Sequence, residues 1–438
     1  TDYILKPFTA DRLLERIARA LERRRVFMPI YELMEEGGQR EAIEACIEGE
    51  QAHPRYALDF LRLRAELHTF LNEPELAEPI YRELADARAV PWARLGLART
   101  LFVRERFEEA QDILEDLVDS NKNFVDAYDW LARTHAAVGE LEKSQAVLAS
   151  AVAVSPHVVR RLRTLGETAL ETGDVATAEK TLRQVVAKAK YSEFRDPEDH
   201  VKLVRALVQK GEPDQAASVI RDLDRSMGNQ KNTGACSAIA SSVLHEYTGN
   251  SQRLAESLEA ALTACRDAPD LSQGLKLQLA RTCLQNDMQD GATEVMRDVM
   301  RNAGTGSEMA SAMAVLEQAG HGELATRLAQ ESRQHVVDLV ANGAARATSG
   351  DYQGAVELMQ EAAIRLPRNP AVAFNAALAS LRCLEHTGWD ERLGQEVPAL
   401  IDKLRRLDPR NPKLPALAGL HQQILKKYDK GPRARKAG

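Results

Sequence analysis

Aromatic residues make up only 5% of this 438-residue chain, and strand-forming runs of Val, Ile, Thr, Tyr and Phe are scarce. Ala, Leu, Glu, Arg and Gln dominate instead, side chains that lose little freedom in a helix. The composition therefore points to an all-α fold. No stretch approaches the ~18 consecutive apolar residues of a membrane-spanning helix. Positive charge is not in excess. The 58 Lys and Arg against 65 Asp and Glu leave a formal net charge of −7, which argues against nucleic acid as the main partner. The five cysteines, Cys46, Cys236, Cys265, Cys283 and Cys383, are odd in number and never spaced as Cys-x-x-Cys. That pattern suggests neither a disulfide framework nor a zinc site, and fits reduced helix residues in a cytoplasmic protein. No secretory signal is visible.

What the sequence does contain is a period. A small residue followed four positions later by an apolar one recurs as Ala42/Cys46, Ala77/Tyr81, Ala110/Leu114, Ser144/Leu148 and Ala178/Leu182. Successive steps are 35, 33, 34 and 34 residues. The series continues more loosely with Ala216/Ile220, Ala292/Met296 and Ala355/Met359. Many of these markers follow another small residue by twelve positions, as Ala110 follows Ala98 and Ala178 follows Gly166. Glycine often falls in the gap before a marker: Gly37, Gly139, Gly173, Gly211 and Gly350. Each unit thus reads as helix, tight turn and second helix. Small residues let two helices approach closely, and one pair cannot bury both of its faces, so neighbours must stack.

The spacing resembles the tetratricopeptide repeat, with family-like segments at Trp130 to Pro156 and Gly343 to Pro367. Pro54, Pro156 and Pro367 stand where that family often ends its second helix. The resemblance spans residues 26–408 and implies a solenoid of about ten to eleven repeats, with 409–438 as a capping helix and basic tail. Two longer polar connections are expected at 187–199 and 225–235, and an extended turn near Trp389. Units near 236–270 and 305–334 fit the pattern poorly.

Residues 1–25 stand outside the period. Asp2-Tyr3, Lys6-Pro7-Phe8 and the following helix, with Leu13, Leu14, Ile17, Ala18 and Leu21 on one face, resemble the last strand and helix of a response-regulator receiver domain. The resemblance implies that Lys6 contacts a phosphoryl group, that Pro7 positions it through a cis peptide, and that Tyr3 is the switch aromatic. The phosphoacceptor aspartate and the ligands of a divalent metal would lie upstream of Thr1. A sensor kinase is the implied partner of that missing part. Pro29 is expected to start the first repeat helix afresh.

Within the array, no histidine falls in a metal-ligand or catalytic spacing, and "GNQKNTGACS" lacks the ending of a phosphate loop. No catalytic residue, metal site or cofactor is assigned, and the chain is read as a non-enzyme. His68 and His135 occupy core positions and are read as packed side chains. In the tetratricopeptide family the residue after the small position of the first helix faces the concave surface. Here that place holds Arg99, Arg133 and Arg281, and Arg205 in a matching place, with Arg163 one turn earlier on its own helix. These arginines form the candidate groove for an acidic or phosphorylated peptide, because guanidinium forks suit carboxylates and phosphates. The competing view is that each pairs with a neighbouring carboxylate. Trp92, Phe70 and Phe102 are candidate apolar anchors.

The sequence is therefore read as a response-regulator output module that acts by protein–protein interaction in a phosphorelay. A constitutive scaffold, or a regulator of an associated enzyme, is the alternative. An array of this kind can also form a homodimer through its ends.

Overall fold

The computed structural model describes residues 9–35, 38–87, 90–304, 306–409 and 411–428. Among these residues there are 22 α-helices and no strand. In chain order they are α1 (Ala10–Glu35), α2 (Gln39–Ala52), α3 (Ala57–Phe70), α4 (Pro74–Ala87), α5 (Pro91–Val103), α6 (Phe107–Ser120), α7 (Val125–Ala137) and α8 (Leu141–Val154). There follow α9 (Val159–Thr172), α10 (Val175–Ala189), α11 (Pro197–Gln209), α12 (Pro213–Met227), α13 (Thr233–Tyr247), α14 (Ser251–Arg266), α15 (Gln273–Gln285) and α16 (Gln289–Asn302). The last six are α17 (Gly306–Gln318), α18 (Gly322–Thr348), α19 (Tyr352–Arg365), α20 (Pro370–Thr387), α21 (Glu391–Leu407) and α22 (Leu414–Lys427). The chain divides into two compact units, residues 1–134 with 418–438, and residues 135–417.

The small and apolar markers of the sequence are the core of this arrangement. Ala42, Ala110, Ala178, Ala216, Ala292 and Ala355 are fully buried, as are Cys46, Leu114, Leu182 and Met296. Each fully buried Leu of this kind stabilises the fold by about 1.5–3 kcal/mol through apolar burial. The small residue is needed where helices touch. At Gly166 of α9, a Cβ would lie 2.7 Å from Cγ of Leu182 on α10, the marker sixteen residues on. Between neighbouring pairs the contact is as close: a Cβ on Gly96 would meet the Tyr81 ring at 2.4 Å.

The turns inside the pairs also follow the pattern. Gly139 and Gly173 adopt φ of 85° and 79°, a region that L side chains rarely enter. Non-glycine residues hold the equivalent bend elsewhere, Asn72 at 57°, Glu105 at 61° and Asp287 at 58°, so glycine alone would not have located every turn. Gly37 lies outside the described residues. The long connections expected near 190 and 230 are present, between Ala189 and Pro197 and between Met227 and Thr233, as is the break between Thr387 and Glu391. The poorly fitting stretch 236–270 folds as the ordinary pair α13 and α14.

Two features depart from the sequence reading. First, α1 runs without interruption through Pro29, so no new helix begins there. An interior proline removes one helix hydrogen bond. Burial of Phe27 (1% exposed) and Ile30 (3%) offsets that loss, with the Phe27 ring 4.3 Å from that of Phe60. The boundary drawn at residue 25 therefore falls inside one helix. Tyr3, Lys6 and Pro7 lie outside the described residues, among which no receiver portion is recognised.

Second, α18 is 27 residues long. It serves as the second helix beside α17 and, further along, as the first helix beside α19, where Gly343 approaches Met359. Residues 331–341 contain neither Pro nor Gly, so nothing reverses the chain where a turn is due. Counting α18 twice, the helices make eleven pairs, followed by α22.

The second unit is tied together by contacts that skip a pair. Glu198 Oε1, at the start of α11, accepts from the backbone N–H of Ser272 at 2.7 Å, 74 residues away. Asn302 Oδ1, at the end of α16, accepts from the Arg368 N–H at 3.1 Å, and Asn369 Nδ2 donates to the Arg301 carbonyl at 2.7 Å.

Candidate functional site

The five arginines chosen from the sequence fall into three different environments. In the first unit, Arg99 on α5 and Arg133 on α7 are exposed at their tips and converge on one indole. Their guanidinium carbons sit 5.1 Å and 4.9 Å from the ring centroid of Trp130. Trp130 is half-buried and packs edge-on against Phe102 at 5.4 Å. Arg62 and Trp92 repeat the motif one pair earlier, at 4.9 Å. Such stacks hold a guanidinium in place without using its N–H donors. Phe102 and Trp92 thus support cations, while Phe70 is 43% exposed at the end of α3.

Arg163 has a different fate. Its Nε and Nη2 donate to Oδ1 and Oδ2 of Asp199, both at 2.7 Å, and Nη2 also donates to the Phe194 carbonyl at 2.8 Å. Asp199 is 1% exposed. Hydrogen bonding to Asp199 holds the Arg163 guanidinium above its ordinary pKa, even against burial. This arginine links α9 to α11 through Asp199.

Arg205 and Arg281 share a third environment. They lie on α11 and α15 and line one cavity of about 510 Å³ in the second unit. Among the described residues, neither has a carboxylate within 4.0 Å. Burial lowers the Arg205 guanidinium from its ordinary pKa, opposed by Glu171 and aided by the nearby charge of Arg281. Glu171, across the cavity on α9, is pushed up by burial and by Glu167, with Arg205 pulling the other way. Lys202, one turn before Arg205, donates to Glu167. That contact keeps its ammonium above the ordinary lysine value although burial opposes it. Gln278 Oε1, also in the wall, is buried with no hydrogen-bond donor in reach. Leu170, Leu275 and Val315 supply apolar surface.

Sequence reasoning missed Lys202, Glu171 and Gln278. Lys202 and Arg205 are three residues apart on one helix and therefore share a face, a signal open to view. Glu171 and Gln278 come from helices far apart in the chain and carried no such signal.

The remaining polar candidates are structural. His68 Nδ1 lies 2.8 Å from Glu73 Oε2, and His135 Nδ1 lies 2.8 Å from Glu140 Oε2, each joining two helices of a pair. Among the described residues, no group of three or more His, Cys, Asp or Glu is gathered as for a metal ion, and no helix is long and apolar enough to cross a membrane.

Comparison with known proteins agrees with the helix-pair geometry. Tetratricopeptide-repeat models match residues 131–193 and 91–116. No curated protein matches the sequence. Among solved structures, YrrB, described as a TPR protein with an unusual peptide-binding site, is 14% identical. That likeness covers 42% of this chain and 91% of YrrB, with a TM-score of 0.36. PilF of Pseudomonas aeruginosa is 14% identical over 48% of this chain and 94% of its own, with a TM-score of 0.38. The C-terminal part of a TPR repeat-containing protein from Cytophaga hutchinsonii is 11% identical over 57% and 97%, with a TM-score of 0.44. The chain carries tetratricopeptide repeats at residues 91–116 and 131–193, within an array of helix pairs that continues the same pattern.

Proposed function

We propose that this chain is a protein-interaction module whose second unit receives an acidic peptide segment in the cavity of Arg205 and Arg281. One observation carries the reading: two guanidinium groups share a concave wall, and no carboxylate of the described chain pairs with either. Cations held this close repel each other, and a carboxylate or phosphoryl group between them removes that repulsion while gaining forked hydrogen bonds. Glu167 and Glu171 on the opposite side favour a ligand that also presents an N–H donor, such as a peptide backbone. Arg99 and Arg133, stacked on Trp130, are a further cationic surface in the first unit.

Selection of a displayed random-peptide library on the full chain tests this. Acidic clones are expected, and Arg205→Glu/Arg281→Glu should abolish their binding while circular dichroism stays unchanged. Clones of no charge bias, or clones indifferent to both substitutions, would sink the reading.

We also propose phospho-control of this binding, on the sequence of residues 2–24. The described part of α1 supports a mechanical link. Its first half leaves an apolar face uncovered, with Leu14 62%, Ile17 46% and Leu21 59% exposed, while its second half is locked into the first repeat by Phe27 and Ile30. A change at the uncovered face would be carried along one helix into the array. A full-length protein that gains one phosphoryl group from a small-molecule phosphodonor, and changes its peptide affinity, is the expected result. Unaltered mass or affinity would leave a constitutive scaffold.

A further inference from the structure

A second cleft of the second unit is built mostly from other helices, with α15 contributing Lys276 to its lining. It encloses about 730 Å³ and is walled by α14, α16, α18 and α19. The cavity of Arg205 and Arg281 draws on the first helices α9, α11, α15 and α17, whereas α14, α16 and α19 are second helices of their pairs. The fused helix α18 supplies part of its wall. His335 and Leu339 line it from the stretch where a turn would otherwise have ended the wall.

Its charges do not balance. Three carboxylates line it, and each is already held: Glu294 by Arg266 at 2.8 Å, Asp298 by Lys276 at 2.7 Å, and Glu361 by Arg365 at 2.7 Å. Arg297 and Arg301 remain, one turn apart on α16, with no carboxylate within 4.0 Å among the described residues. Arg301 Nε is buried without an acceptor. Burial, reinforced by the charge of Arg297, lowers the Arg301 guanidinium from its ordinary pKa, and burial together with Arg301 lowers His335. Beside these cations the surface is apolar: Leu262, Leu358 and Ile364 line the cleft, and Ile364 is 70% exposed.

We propose that this cleft is a second docking site, for a partner peptide segment that carries carboxylates beside apolar side chains. The carboxylates meet Arg297 and Arg301, and the apolar side chains cover Leu262, Leu358 and Ile364. Charge complementarity selects this occupant over a basic one, and the apolar wall selects it over a bare polyanion. The site is independent of the Arg205 and Arg281 cavity, so either can fail alone.

The test selects a displayed random-peptide library on the full chain and sorts the clones by variant. Clones that weaken roughly tenfold or more with Arg297→Glu, yet bind Arg205→Glu/Arg281→Glu normally, are expected to mix Asp or Glu with Leu, Ile or Phe. Ile364→Asp, a change at an exposed position that spares the core, should weaken the same clones. Absence of any Arg297-dependent clone would overturn the proposal. So would dependence on Arg297 without dependence on Ile364, the mark of a simple anion site. Stronger binding to vesicles containing phosphatidylserine, or self-association lost with Arg297→Glu, would reassign the cleft to a lipid surface or a second copy.

Discussion

The guanidinium of Arg163 grips the carboxylate of Asp199 from 36 residues away, through two parallel 2.7 Å hydrogen bonds, Nε to Oδ1 and Nη2 to Oδ2. The carboxylate is buried and the arginine mostly so, which makes the pair a fastening between α9 and α11 rather than a surface ion pair. Arg163→Ala should therefore destabilise the protein by about 3–5 kcal/mol, because it strands a buried charge. Replacing both partners, as Arg163→Met/Asp199→Leu, should recover most of that loss. Urea denaturation of the single and double variants measures both, and Arg163→Ala should leave peptide affinity unchanged. A loss of binding with no loss of stability would return Arg163 to the groove.

Acid should loosen the first unit through Glu78. Its carboxylate accepts from Arg82 at 2.8 Å and from Arg106 at 2.8 Å and 3.0 Å, and it also pairs with Arg104. Burial alone would raise this acid, but the three arginines win and hold it below its ordinary value of 4.5. The unfolded chain thus takes up the proton first as pH falls. The stabilisation is complete above pH 4.5 and disappears as pH drops through the lower folded value. Thermal unfolding from pH 7 to pH 3 should show this acid limb, and Glu78→Gln should flatten it while lowering stability at pH 7. An acid limb of unchanged depth in the variant would show that other carboxylates set it.

Asn302 at the end of α16 and Asn369 at the start of α20 should matter more than their size suggests. Asn302 and Asn369 are 2% and 6% exposed, and each satisfies a backbone group 66 to 68 residues away. Removing either leaves a buried peptide group without a partner, so Asn302→Ala or Asn369→Ala should each cost about 1–3 kcal/mol. Hydrogen exchange gives a sharper reading. The Arg368 amide should exchange faster in Asn302→Ala and little changed in a surface control such as Gln334→Ala. Equal exchange in both would mean that the α16 and α19 ends are held by apolar packing alone.

The sequence by itself carried the helical class, the length of the repeat and, in the regular units, which small and apolar positions meet inside a pair. Those depend on neighbours four, twelve or sixteen positions apart, where helix geometry alone decides which side chains share a face. Gly166 against Leu182 was legible for that reason, as were the turns at Gly139 and Gly173. The tertiary structure decided what depends on stacking. Which arginines are paired is one such matter: Arg163 meets Asp199 from another helix pair, whereas Arg205 and Arg281 have no carboxylate within 4.0 Å among the described residues and feel Glu171 only across the cavity. Stacking of helix pairs brings Glu198 to Ser272 and Asn302 to Arg368, contacts between residues 74 and 66 positions apart. The fused α18 follows the same logic. The absence of Pro and Gly from residues 331–341 is the local reason the turn is lost, but only the packing of α16, α18 and α19 turns that loss into a cleft.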